Sequence, residues 1–241
     1  MAPQDSDATR AAYERLAGVW DETDDNLWNE GLERTTVRAF LPTPLEGARV
    51  LDAGCATGHH AAWLTERGCH VVGFDFSPAM VGQARATCPT GAAFAVADLR
   101  ALPFAPRTFD GILCSLALHY VEDMASSLRQ FAELLRPAGW LLLSLDHPAG
   151  TALGVDGRDD YFTPRLITDS WSKKGVAVTQ SFWRWPLSQT VDALADAGFV
   201  LERIGEPQLT DDMRRRFPEE SAGIEGRPVF IVYRARLSPG G

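Results

Sequence analysis

The sequence predicts an α/β fold, a doubly wound parallel sheet covered by helices on both faces. Three observations carry that expectation. Short apolar runs alternate with amphipathic segments five times between residues 48 and 146. The runs are continuously rich in Val, Ile and Leu, as strands buried on both faces are. Three successive runs end in an acid, Asp52, Asp75 and Asp98, at the edge where such sheets bind ligands.

Residues 6–19 predict a helix, with Tyr13, Leu16 and Trp20 on one side at i, i+3 and i+7. A second helix is expected over 29–40, stopping before Pro42. RVLDA (49–53) reads as a strand, HHAAWLTERG (59–68) as a helix closed by Gly68, and CHVVGFDF (69–76) as a strand. SPAMVGQARAT (77–87) is a helix with Ser77 as N-cap and Pro78 at its first position. AAFAVAD (92–98) and FDGILCSLAL (109–118) are strands. MASSLRQFAELLR (124–136) is a helix closed by Pro137 and Gly139, and WLLLSLD (140–146) a fifth strand.

The rhythm then breaks. Residues 148–186 hold Trp171, Trp183 and Trp185 together with Tyr161 and Phe162, and read as an insertion over the ligand face. Regularity returns with the helix LSQTVDALADAGF (187–199) and the strands VLERIG (200–205) and PVFIVYRAR (228–236). The expectation is one domain over 1–241: an N-terminal helical lid (1–44), a cofactor-binding core (45–147), a substrate-cap insertion (148–186), and a last helix with two strands (187–237).

Bulk properties narrow the partners. Of 241 residues 45% are hydrophobic, and 32 acids against 23 Lys and Arg give a net charge of −9. Such a surface repels nucleic acids and anionic membranes and favours a small-molecule partner. The one basic run, Arg214 to Arg216, is flanked by acids and reads as a solvated helix face. The four cysteines form no C-x-x-C pair, and no cluster of metal ligands is visible. Together with a start lacking a signal pattern and no apolar run near the ~18 residues a membrane helix needs, the expected setting is the cytoplasm.

The loop after the first strand, VLDAGCATGHH (50–60), approaches a phosphate-binding turn but lacks its middle glycine. Asp52 would also set a negative charge beside the phosphates. A cationic or zwitterionic ligand suits this loop better than an anion. An acid after the second strand suits a ribose, whose two hydroxyls a carboxylate can accept. The alternative for any one of the three acids is an N-cap or turn acid.

In order and spacing, VLDAGCATG, VVGFDFSPAMVGQAR, ADLRALPFAPRTFDGILCSLALHYVED and LLRPAGWLLLSL resemble the class I S-adenosylmethionine-dependent methyltransferases, most closely the small-molecule branch that includes the ubiquinone-biosynthesis type. The resemblance covers residues 13–150 well and the terminal helix and strands more loosely. It implies a Rossmann-like, seven-stranded, mostly parallel sheet with an antiparallel last strand. It implies S-adenosylmethionine as cofactor and S-adenosylhomocysteine as product. Asp52 would sit by the amino-acid portion, with Gly54, Cys55 and Gly58 packing against the methionine. Asp75 would bind the ribose hydroxyls, Phe76 and Met80 would sandwich the adenine, and Asp98 and the Leu99 amide would meet the adenine edge. Ser115 and Leu116 would line the methionine side, and Tyr13 and Trp20 would close over the cofactor from the N-terminal helix. Where the family often carries other residues, this chain has His59 and His60. Adjacent helical residues point about 100° apart and do not readily share a metal; His59 is expected nearer the cofactor carboxylate.

The reaction is expected to be transfer of a methyl group to an O, N or C atom of a small acceptor by in-line displacement, for which placement is the main task. His119 and His147, after the fourth and fifth strands, are candidate bases or substrate contacts. Tyr120, Tyr161, Trp171 and Trp183 are candidate substrate contacts, with Asp160 a weaker one; aromatic faces suit a flat acceptor. Two other readings stand beside this one: a nicotinamide-dependent oxidoreductase on a Rossmann-type sheet, and a cofactor-binding protein that does not methylate.

Overall fold

The computed structural model describes residues 4–20, 26–88, 90–154, 160–173 and 175–238. Seven strands form one sheet in the order β3-β2-β1-β4-β5-β9-β8. Its parallel half is β1 (Arg49–Ala53), β2 (His70–Asp75), β3 (Ala92–Val96), β4 (Phe109–Ser115) and β5 (Leu135–Asp146). β8 (Phe199–Gly205) and β9 (Phe230–Leu237) complete it, and β9 runs antiparallel to both neighbours. The strand order reverses between β1 and β4, so the loops leaving those strands open a crevice at the carboxyl edge.

Helices follow where the apolar periodicity places them: α3 (His59–Thr65), α4 (Pro78–Thr87), α5 (Met124–Leu134) and α7 (Leu187–Asp196). Ser77 caps α4 by accepting from the Met80 amide, with Pro78 in the first turn. One face of the sheet packs Leu51, Phe74, Ile112 and Leu143 against Leu128, Phe131 and Leu194 from α5 and α7. The other packs Val50, Leu113, Leu142 and Val232 against Ala61 and Leu64 of α3 and Val37 and Phe40.

The N-terminal region departs from a plain helix pair. α1 (Gln4–Trp20) forms as expected. The second helix starts as a π-helix at Leu27–Arg34, with Gly31 N–H bonded to the Asn26 carbonyl five residues back, and tightens into α2 (Thr35–Phe40). The insertion contains α6 (Pro148–Gly154) and an antiparallel hairpin of β6 (Arg165–Lys173) and β7 (Val176–Arg184). Buried Arg184 ties the preceding loop to the hairpin by donating to the carbonyls of Asp160, Tyr161 and Thr163. α1 lies on β7 and α4, where Leu16, Met80 and Val178 share one buried cluster. Two short helices that the sequence reading did not separate, α8 (Asp211–Arg216) and α9 (Pro218–Ile224), precede β9. Arg214 to Arg216 lie on α8 and pair with Asp211, Asp212 and Glu225, a solvated face as expected.

Candidate active site

A cavity of about 1380 Å³ opens at the carboxyl edge, walled by the loops after β1, β2, β3 and β4, the end of β5, the π-helix, α1 and the β6–β7 hairpin. At its centre is the turn after β1. Gly54 has φ +75°, and a Cβ there would stand 2.4 Å from the Ala117 Cβ, so the turn packs closely on the loop after β4. The Gly54 and Cys55 amides both donate to the Phe74 carbonyl, locking the turn onto β2. Gly58 has φ +85° and packs on Ala84 of α4.

Two carboxylates flank the turn. Asp75 accepts from the amides of Ala56 and Ser77 at 3.0 and 2.9 Å. Burial nevertheless pushes it up to about 6, because these bonds only partly offset lost hydration. Asp52 is 1% exposed, and its Oδ2 accepts no hydrogen bond from any described residue. Burial raises it to about 6 against the opposing pull of His60 and the Ala61 amide, with Asp75 and Glu33 adding repulsion. The Thr57 hydroxyl beside them is buried without a partner.

Glu33 supplies a third buried acid that sequence reasoning did not single out. The π-helix turns it inward, where it accepts from the hydroxyls of Ser115 at 2.7 Å and Ser144 at 2.6 Å. His60 Nε2 lies 3.5 Å from its other oxygen. Burial alone would raise this carboxyl, but His60 and the two serines hold it below its usual range. His60 is therefore the buried member of the histidine pair and His59 the half-buried one, although both reach the cavity wall. The phase of α3 turns His60 toward Glu33 and leaves His59 on the cavity wall as well.

The remaining predicted residues divide. Phe76, Asp98, Leu99, Ser115, Leu116, His119, Tyr120 and Trp183 line the cavity, as does Tyr13. Asp98 is held by Arg100, whose Nε lies 2.9 and 3.1 Å from its two oxygens. Burial alone would raise Asp98, and this pairing takes it below the ordinary value. Tyr13, Tyr120 and Gln180 form a latch between α1, the 3-10 turn Leu118–Tyr120 and β7: the two hydroxyls are 2.7 Å apart, and Tyr120 donates to Gln180 at 3.0 Å. Four assignments do not reach the wall. Met80 is fully buried, because the period of α4 turns it under α1. Gly58 serves the packing of α3 on α4. His147 contacts Glu206 at 2.8 Å, away from the cavity. The Tyr161 hydroxyl accepts from the Leu187 amide and so braces the start of α7. The side chains of Trp20 and Trp171 lie outside the described residues.

Wall residues not picked out from sequence include Asn26, Trp28, Glu33, His60, Asp146 and Gln180. Asp146 carried a readable signal, since it ends β5 as Asp52 and Asp75 end or close their strands. Among the described residues no three His, Cys, Asp or Glu side chains converge as a metal site, and no helix is long and apolar enough to cross a membrane.

Comparison with known proteins gives this geometry a family. Residues 51–143 match the family described as Methyltransferase domain. The chain is 30% identical over 202 residues to a demethylmenaquinone methyltransferase of Clavibacter sepedonicus, covering 80% of each. It is 33% identical to a 2-phytyl-1,4-naphtoquinone methyltransferase of Thermosynechococcus vestitus, over 75% of this chain and 82% of that one. A crystal structure of an S-adenosylmethionine-dependent methyltransferase from Mesorhizobium loti superposes with a TM-score of 0.68 at 33% identity, over 84% of this chain and 96% of that chain. The glycine turn, the acids at the strand ends and these relatives agree: the chain belongs to the class I S-adenosylmethionine-dependent methyltransferases.

Proposed function

We propose that the cavity holds S-adenosylmethionine and a flat, weakly polar acceptor side by side, and that its residues do little beyond placing the two. The observation that carries this reading is the cavity itself. At about 1380 Å³ it exceeds the roughly 300–1,000 Å³ that one small ligand usually fills. Its lining brings Asp52, Gly54 and Asp75 into one space with Asp146, Trp28 and Trp183.

The residues around the turn after β1 and at the end of β2 fit the cofactor. Asp52 Oδ2 and the Thr57 hydroxyl are buried polar atoms in need of partners, which an ammonium and a carboxylate would supply. Asp75 faces the cavity with backbone donors fixing its rotamer, so it can accept from two ribose hydroxyls. Phe76, Asp98 and the Leu99 amide stand where an adenine ring would lie, and His60 with Glu33 braces the floor beneath the amino-acid tail. The bound cofactor supplies an electrophilic methyl group on a cationic sulfur. The chain's part is orientation, which alone can contribute about 7–11 kcal/mol, and exclusion of water by the Tyr13–Tyr120–Gln180 latch.

The two relatives are named for methylation of demethylmenaquinone and of 2-phytyl-1,4-naphtoquinone. Trp28, Trp183 and Phe230 on the acceptor walls support a planar acceptor here. All four cysteines are free and buried, which supports a reducing, cytoplasmic setting. The test is incubation with methyl-labelled S-adenosylmethionine and a metabolite extract. Label entering a small-molecule fraction is expected; binding of the cofactor with no transfer to any fraction would favour the non-methylating reading.

A further inference from the structure

We propose that Asp146 is the proton acceptor for the methyl acceptor, and that the part of the cavity beside it takes a neutral aromatic hydroxyl rather than an anion. The inference rests on the methyltransferase reading of the cavity.

Asp146 ends β5 opposite Phe230 of β9, and both line the cavity. Its side chain keeps 30% of its surface exposed there, and Oδ2 stands 3.7 Å from Nδ1 of His119. That is too long for a hydrogen bond, and no described residue donates one to this carboxylate. The His119 Nδ1 is in the same position: it is buried and has no hydrogen-bond partner among the described residues, while its ring is held between Tyr120 and Phe182 at 4.4 and 5.5 Å. A carboxylate and an imidazole nitrogen thus border one gap, each short of a partner. A hydroxyl placed there would satisfy Asp146 as donor, with the His119 ring alongside.

The surrounding charges select the acceptor. Asp146 is faced by Asp169 from β6, Tyr13 from α1, and His119 and Tyr120 from the 3-10 turn. None of these brings a positive charge. The arginines on the cavity wall are Arg34, paired with Glu30, and Arg100, paired with Asp98. A carboxylate or phosphate acceptor would therefore meet Asp146 and Asp169 with no compensating side-chain cation among the described residues. A neutral hydroxyl avoids that repulsion.

The two candidate bases are driven apart by their surroundings. Burial takes His119 down to about 3, so it stays neutral and holds the acceptor by packing. Burial, then Asp169, pushes Asp146 up to about 7, which suits proton transfer near neutrality. In the step, the acceptor O–H bond breaks and its proton goes to Asp146. The oxygen lone pair forms the new O–CH3 bond. The S–CH3 bond breaks with its electrons going to sulfur, which leaves as a neutral thioether. Asp146 later returns the proton to water.

The experiment titrates 2-naphthol, 2-naphthoate and 2-naphthylmethylammonium into protein saturated with S-adenosylhomocysteine. Wild type should bind the naphthol at least about tenfold tighter than the naphthoate, and Asp146→Asn should bring the ratio below about threefold. Naphthol affinity in wild type should rise between about pH 6 and pH 8 as Asp146 ionises, and stay flat in Asp146→Asn. Asp169→Asn should shift that rise to lower pH. Equal binding of naphthoate, preference for the ammonium, no binding of any probe, or a pH dependence that survives in Asp146→Asn overturns the proposal. Loss of S-adenosylhomocysteine binding by wild type would instead overturn the cofactor reading, and this inference with it.

Discussion

Binding of S-adenosylmethionine should release protons, in an amount set by Asp52 and Asp75. Burial pushes both carboxyls up to about 6 in the free protein. Their neighbour Glu33 accepts from the Ser115 and Ser144 hydroxyls and is held below its usual range. At pH 6 each of the two carboxyls is about half protonated. On the proposed placement, binding would set an ammonium against Asp52 and two hydroxyls against Asp75. Both contacts favour the ionised form, lower the carboxyl pKa and expel the remaining protons, up to about one in total. Because Asp52 and Asp75 repel each other, that proton belongs to the pair rather than to either residue. The assay is calorimetry at pH 6 in buffers of differing ionisation enthalpy, where the slope of observed against buffer enthalpy counts protons. Release should vanish by about pH 7.5, where both groups are already ionised, and Asp52→Asn should cut it by roughly half. A slope of zero at pH 6, or an equal release at both pH values, would refute the assignment of these carboxyls to the cofactor.

Two further outcomes follow from the packing. Gly54→Ala places a Cβ 2.4 Å from that of Ala117 on a backbone with φ +75°. The strained backbone costs about 1–2 kcal/mol and the overpacking about 1–3, read by urea unfolding; adding Ala117→Gly should restore the overpacking part only. Tyr120→Phe removes the hydroxyl that meets Tyr13 and Gln180, each bond worth about 0.5–1.5 kcal/mol. Amide exchange in α1 should then quicken, and wild-type protection there would show that the latch does not hold the lid.

The sheet was legible because its strands are buried on both faces and carry their signal without tertiary help. Ser77 and Pro78 likewise fixed the start of α4 locally. The site was legible where it depends on strand ends, as at Asp52 and Asp75. It was obscure where helix phase decides. Met80 follows Asp75 closely in sequence, yet the period of α4 buries it under α1. His60 rather than His59 meets Glu33 because adjacent helical residues diverge by about 100°. Glu33 was hidden altogether, since a π-helical register shows only in backbone bonds such as Gly31 to Asn26. Asp146 gains its surroundings from a distant hairpin that brings Asp169 to the same wall, and no local pattern encodes that meeting.

The most direct measurement of the central claim is calorimetric titration of S-adenosylhomocysteine into wild type and Asp75→Ala, with melting temperatures confirming that both are folded. Asp75 lies on the cavity wall with its rotamer fixed by two amides. Its loss should weaken binding by about 1.5–3 kcal/mol, the range for hydrogen bonds to a charged group, or roughly 10- to 150-fold in Kd. An affinity equal to wild type would contradict the placement of the cofactor ribose at the end of β2, and with it the orientation assigned to the whole cavity.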